Sequence, residues 1–129
     1  MAYSIRKDVI IATGRSDYPN QINNVLVFPY IFRGTLDTRA YSINTQMLLE
    51  AANTIANIAR KETPEEIKAL YNEELTFGKD YFIPKLFDRR LFLEVSSVVA
   101  KSAIETGVAR KKIPLDEYRK QLVLRLNSM

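Results

Sequence analysis

The chain has 129 residues, with 19 Lys and Arg against 15 Asp and Glu, giving a net charge of +4. At 47% hydrophobic and 26% charged it holds enough apolar side chains for one modest core. Cysteine and histidine are both absent, which excludes disulfides, thiolate nucleophiles, imidazole acid–base chemistry and the usual zinc ligands. Proton transfer would fall to Lys, Tyr, Asp or Glu, and a metal would need oxygen ligands. Apolar runs stop well short of the roughly 18 residues that a membrane span requires. Val9–Ala12, behind Arg6 and Lys7, is too short for the apolar region of a signal peptide. A cytoplasmic protein with no membrane partner is the expectation.

The four glycines, Gly14, Gly34, Gly78 and Gly107, lie at least 20 positions apart. A dinucleotide fingerprint gathers its glycines within about six residues, so that backbone can approach a pyrophosphate. This chain has no such loop, and no P-loop.

Along the chain, Val9-Ile10-Ile11-Ala12-Thr13, closed by Gly14, reads as a strand buried on both faces, as in a parallel sheet. The polar, amide-dense stretch from Gly14 to Asn24 reads as a surface loop. Val25–Phe28 fits a second strand, and equally the approach to a short helix with Pro29 in its first turn. Leu48, Ala51, Ala52, Ile55, Ala56 and Ala59 predict a helix over 44–60, capped by Asn44 and stapled by Ile43 and Leu48. Thr63-Pro64-Glu65-Glu66 predicts a capping box for a helix over 64–72, with Pro64 in its first position. Asp88 opens a helix over 88–106 with the stripe Leu91, Val95, Val98, Val99 and Ser102, stopped by Gly107. Pro114 opens the last, over 115–127, with Leu115, Tyr118, Leu122 and Leu126 on one side. One or two strands with four helices do not complete an α/β sheet, so the chain reads as the back end of a larger unit.

Three groups could carry chemistry. Asn23 and Asn24 lie just past a Gly-punctuated strand end, where open α/β sheets bind ligands, and an amide can donate to a carboxylate or hydroxyl without titrating. From spacing alone, the ordinary role of such residues is an Asx turn. The adjacent pairs Glu65-Glu66 and Glu73-Glu74 diverge by roughly 100° on a helix, so no metal is assigned to them. Arg110-Lys111-Lys112 lacks interleaved aromatics and reads as a solvated loop, not a nucleic-acid surface.

The run Ile10-Ile11-Ala12-Thr13-Gly14-Arg15-Ser16-Asp17-Tyr18-Pro19-Asn20-Gln21-Ile22-Asn23-Asn24-Val25-Leu26, followed by Phe28-Pro29 and Ile31-Phe32-Arg33-Gly34, closely resembles the bacterial malic enzymes. The likeness continues through Leu36-Asp37, Ile43-Asn44, Phe82-Ile83-Pro84-Lys85, Phe87-Asp88 and Val99-Ala100-Lys101. It departs at Leu86 and Arg89, where the family's pattern has prolines. The resemblance implies an α/β fold, the helix-rich C-terminal portion of a Rossmann-like NAD(P)-binding domain, so that residues 1–129 form a partial domain. It implies oxidative decarboxylation of malate to pyruvate and CO₂ with NAD or NADP and Mg²⁺ or Mn²⁺, in a homo-oligomeric enzyme. The malate domain, the catalytic Tyr and Lys, the metal ligands and the Gly-rich loop of that family have no counterpart here. The family's substrate-contacting Asn matches Asn23, with Asn24 beside it; no catalytic, metal or cofactor-binding residue is carried over. The expectation is a chain inactive alone, binding no cofactor stably, and completed by an N-terminal malic enzyme half. The alternative is a non-catalytic remnant or a small helical interaction module. NAD and NADP are not distinguished, because the residues that read the ribose 2′ position are not in the chain.

Overall fold

The structure is a computed structural model and describes residues 2–129. Its helices are α1 (Ala2–Ile5), α2 (Phe28–Asp37), α3 (Thr45–Arg60), α4 (Glu65–Tyr71), α5 (Ser96–Glu105) and α6 (Leu115–Asn127). A 3₁₀ turn, Asn24–Leu26, leads into α2, and a π-helical turn, Leu91–Val95, leads into α5. The architecture is centred on α5, which packs against α2, α3 and α6. Leu91, Val95, Val99 and Ala103 are fully buried and spaced four apart. Four residues overrun an α-helical turn of about 3.6, and the wider π turn takes up the difference. The main core joins this row to Leu26, Ile31, Met47, Ala51 and Ile58. Smaller clusters form around Ile67, Leu75 and Tyr81, and around Ala100, Tyr118 and Leu122.

The expected strand over 9–13 is not formed. Among the described residues there is no named strand, and the run's ladder partner is confined to one parallel bridge, Thr13 with Gln21. Nor is the run buried: Ile10 is exposed, and Val9, Ile11, Ala12 and Thr13 are half-buried. Strand backbone needs neighbouring N–H and C=O groups to hold it, and no second strand lies beside this one. Val25–Phe28 is likewise not a strand. It turns into α2, with Pro29 in the first turn, and the helix runs past Gly34 to Asp37.

The four predicted helices are present, with local corrections. Asn44 caps α3, its side chain accepting from the Met47 N–H at 3.0 Å. The buried face of α3 is Met47, Ala51, Ile58 and Ala59, whereas Leu48 and Ala52 point outward. Alanine on both faces made the register ambiguous; Met47 is the larger anchor and lies fully buried. The capping box at α4 is absent. Pro64 is itself the N-cap residue, and Thr63 is buried, donating its hydroxyl to the Leu75 carbonyl at 2.9 Å. Pro64 thus stands one position earlier than expected, whereas Pro114 opens α6 immediately before Leu115, as expected. Asp88 does cap the next helix, accepting from the Arg90 N–H at 3.0 Å. Gly107, at φ +79°, ends α5 in the left-handed conformation that glycine tolerates. Tyr118 and Leu122 of the α6 stripe are buried.

Candidate functional site

The loop from Gly14 to Asn24 is pinched at its base. The Thr13 N–H donates to the Asn20 carbonyl at 3.3 Å, and the Ile22 N–H donates to the Thr13 carbonyl at 2.7 Å. At its tip Arg15 pairs with Asp17 at 2.6 Å and lies over the Tyr18 ring at 4.8 Å. Asn20 is buried with φ +57°. Its Nδ2 donates to the Lys79 carbonyl at 2.7 Å and to the Ile11 carbonyl at 3.3 Å. Its Oδ1 accepts from the Phe82 N–H at 2.8 Å.

Asn23 follows in extended backbone as the cap of the 3₁₀ turn, and its Oδ1 accepts from the Val25 N–H at 3.0 Å. That is an Asx turn, and it consumes the acceptor end of the amide. The donor end, Nδ2, has no hydrogen-bond partner among the described residues. Asn24 is exposed, and its carbonyl accepts from the Val27 N–H at 3.2 Å. The two amides therefore sit together immediately before α2, one half-committed to the turn and the other open to solvent.

A cavity of about 290 Å³ lies beside the loop, lined by Ser16, Tyr18, Asn20, Gln21, Tyr71 and Lys85 among others. Neither Asn23 nor Asn24 lines it. Lys85 is held there by Glu73 at 3.2 Å and over the Tyr71 ring at 5.1 Å. Next to this wall, Tyr81 is buried, and burial raises its hydroxyl pKa above the ordinary value. Asp88 is buried as well and is held by the Arg90 guanidinium at 2.6 Å; Arg90 also reaches the Glu62 carbonyl at 2.9 Å. This node anchors the start of the central helix.

Several groups that could hold a metal or a dinucleotide phosphate are engaged within the fold. Glu65 pairs with Lys68 at 2.8 Å, Glu74 approaches the same Lys68 at 3.9 Å, and Glu73 turns to Lys85 at 3.2 Å, so Glu73 and Glu74 diverge. Among the described residues no three metal-ligating side chains come together. Gly34 is occupied by protein packing against α5, and Gly107 by the helix stop. Arg110 and Lys111 donate backbone N–H groups to the Thr38 carbonyl, and the Arg110 guanidinium rests 5.9 Å from the Tyr41 ring centre. Within the basic run their side chains are exposed, as a solvated loop should be. No helix among the described residues is long and apolar enough to cross a membrane.

The buried node at Asn20 is not marked by the sequence pattern alone. The signal was there in part: Asn is among the few residues that tolerate left-handed backbone, and it follows a proline. Its partners near residue 80 could not be seen along the chain.

The family model for the malic enzyme NAD binding domain matches residues 5–73. A probable NADP-dependent malic enzyme of Rickettsia prowazekii is 55% identical over 125 residues, covering 95% of this chain and 16% of the relative. An NAD-dependent malic enzyme of Rhizobium meliloti is 48% identical, again covering 95% of this chain and 16% of its own length. The crystal structure of a malic enzyme from Pyrococcus horikoshii superposes with a TM-score of 0.71 at 38% identity, covering 88% of this chain and 23% of that one. The chain thus spans about one-sixth of the curated relatives named here. With more than half of its residues inside the family model, the chain belongs to the malic enzyme NAD-binding domain family.

Proposed function

We propose that this chain is the part of a malic enzyme that presents amide donors to malate, within the helix-rich portion of a Rossmann-like domain. The reaction would be oxidation of malate by hydride transfer to NAD or NADP, followed by loss of CO₂ to leave pyruvate. In this reading Asn23 donates from Nδ2 to the substrate carboxylate or hydroxyl, and Asn24 stands beside it. The observation that carries the reading is the division of labour in Asn23: Oδ1 fixes the side chain to the turn, and Nδ2 is left for a ligand. A donor held this way costs little ordering entropy when substrate arrives. General acid, general base, dinucleotide cradle and metal ligands would come from a complementary N-terminal malic enzyme half. Both NADP- and NAD-dependent relatives match this segment well, so neither cofactor is preferred.

The test is co-expression with the part of the Rickettsia prowazekii relative that precedes the matched segment, assayed by malate-dependent NADP reduction. The 129-residue chain alone should show no turnover, and the assembled pair should. In the pair, Asn23→Ala should raise the malate KM about tenfold, as for a lost hydrogen bond of 1–1.5 kcal/mol, with the NADP KM less affected. Turnover by the isolated chain, or an unchanged malate KM, would overturn the proposal. A pair that assembles without activity would favour the non-catalytic helical module.

A further inference from the structure

We infer that Asn20 is a positioning residue for the substrate amide: it sets where Asn23 stands by bolting the loop to the turn around residues 79–82. The inference rests on the role proposed for Asn23. An ordinary turn asparagine bonds to its own loop. Asn20 instead reaches carbonyl and amide groups 59 and 62 residues away, at Lys79 and Phe82, while also holding Ile11. Three separate stretches of chain meet on one buried side chain.

Only Gln21 and Ile22 separate Asn20 from Asn23. Both are tied down, Gln21 Nε2 donating to the Gly14 carbonyl at 3.4 Å and the Ile22 N–H donating to the Thr13 carbonyl at 2.7 Å. A displacement at Asn20 therefore has little chain in which to relax before it reaches Asn23. On the other side, the Val25 N–H fixes Asn23 to the 3₁₀ turn that leads into α2. Asn20 is the upstream half of that mounting.

The side chain has to meet two demands at once. The backbone is left-handed, which Asn, Asp and Gly accept most readily. The side chain must give two donors and one acceptor, which only an amide does. Glycine meets the first demand alone. Aspartate meets the first and keeps the acceptor for Phe82, but it turns a carboxylate towards the Ile11 and Lys79 carbonyls.

The experiment has two arms, each with Asn20→Gly and Asn20→Asp. In the first, amide hydrogen exchange is followed by NMR in the 129-residue chain. Ile22 should lose protection and the Asn23 side-chain amide signals should move, while Val99 and Tyr118 stay protected. In the second, the assembled pair described above is assayed. The malate KM should rise about tenfold, with kcat and the NADP KM nearly unchanged, because misplacing a binding group weakens binding without touching the reacting atoms. Retained protection at Ile22 with unmoved Asn23 signals would overturn the inference, as would an unchanged malate KM. Should Asn20→Gly fail to fold, Asn20→Asp is judged by the same criteria. If the wild-type pair shows no malate activity, the proposed function fails, and the exchange arm still decides whether Asn20 holds Asn23.

Discussion

Gly34 is where the backbone of α2 comes closest to the central helix. A Cβ placed there would stand 2.6 Å from the Ser96 carbonyl oxygen, 2.9 Å from Val99 Cβ and 3.0 Å from the Ala100 nitrogen. Two of those atoms are helix backbone and cannot swing aside. In an open helix Gly→Ala would stabilise by up to about 1 kcal/mol, but here overpacking of about 1–3 kcal/mol decides the sign. Gly34→Ala should therefore unfold at lower urea than the parent chain, as followed by circular dichroism. Tyr118 offers a second test at the same scale. Its hydroxyl donates to Asp37 Oδ2 at 2.9 Å, and Asp37 also pairs with Arg33 and Arg125. Burial, and then the Asp37 carboxylate, hold the phenol pKa well above its ordinary value of 10.0. Below pH 10 both folded and unfolded states keep the proton. Above it the unfolded chain ionises first, so stability falls as pH rises. Tyr118→Phe should lose about 1 kcal/mol at neutral pH and show a shallower decline between pH 9 and 11. The decline should not vanish, because burial also raises Tyr30 and Tyr81.

At the scale of elements, α3 depends on a cap with two functions. Asn44 Oδ1 accepts from the Met47 N–H, and Asn44 Nδ2 donates to Thr106 Oγ1 at 2.8 Å, tying the start of α3 to the end of α5. Asn44→Ala removes both and should cost about 1 kcal/mol. Asn44→Asp keeps the acceptor and adds a charge that the helix N-terminus favours, so urea titration should show most of the loss restored. Equal losses in the two variants would mean that the link to Thr106, not the cap, carries the energy. The same element shows how far a sequence pattern reaches. Its ends are readable from Asn44 and from the polar break after Arg60. Its facing was off by one residue because Leu48, Ala51, Ala52 and Ala56 mark an apolar arc wide enough to admit two registers.

For the whole molecule, the notable surface is the outer side of α2. Phe28, Phe32 and Leu36 follow one another four apart and are exposed, with the two phenyl rings stacked at 6.2 Å. Leu48 and Leu49 of α3 are exposed as well. Exposed apolar area of this kind binds apolar probes. The folded chain should enhance anilinonaphthalene sulfonate fluorescence, and Phe32→Gln should lower that signal. Its melting temperature should scarcely move, since an exposed substitution changes stability by about 0.5 kcal/mol or less. A signal unchanged by Phe32→Gln would place the probe elsewhere.

What the sequence determined by itself was local. Caps, stops and apolar stripes act over one or two helical turns, so Asn44, Asp88, Gly107 and the rows through Val99 and Leu122 were legible without a fold. The resemblance carried by Ile10 to Gly34 and continuing in segments to Lys101 was legible too, and the family assignment agrees with it. Tertiary structure decided what depends on distant chain. A β-rich run becomes a strand only beside another strand, so Val9–Thr13 did not form one here. Thr63 was drawn from its cap to the Leu75 carbonyl, and Asn20 became a clamp because Lys79 and Phe82 arrived beside it. A hydrogen-bonding side chain takes the buried partner that packing brings to it, and nothing along the chain announces that partner in advance.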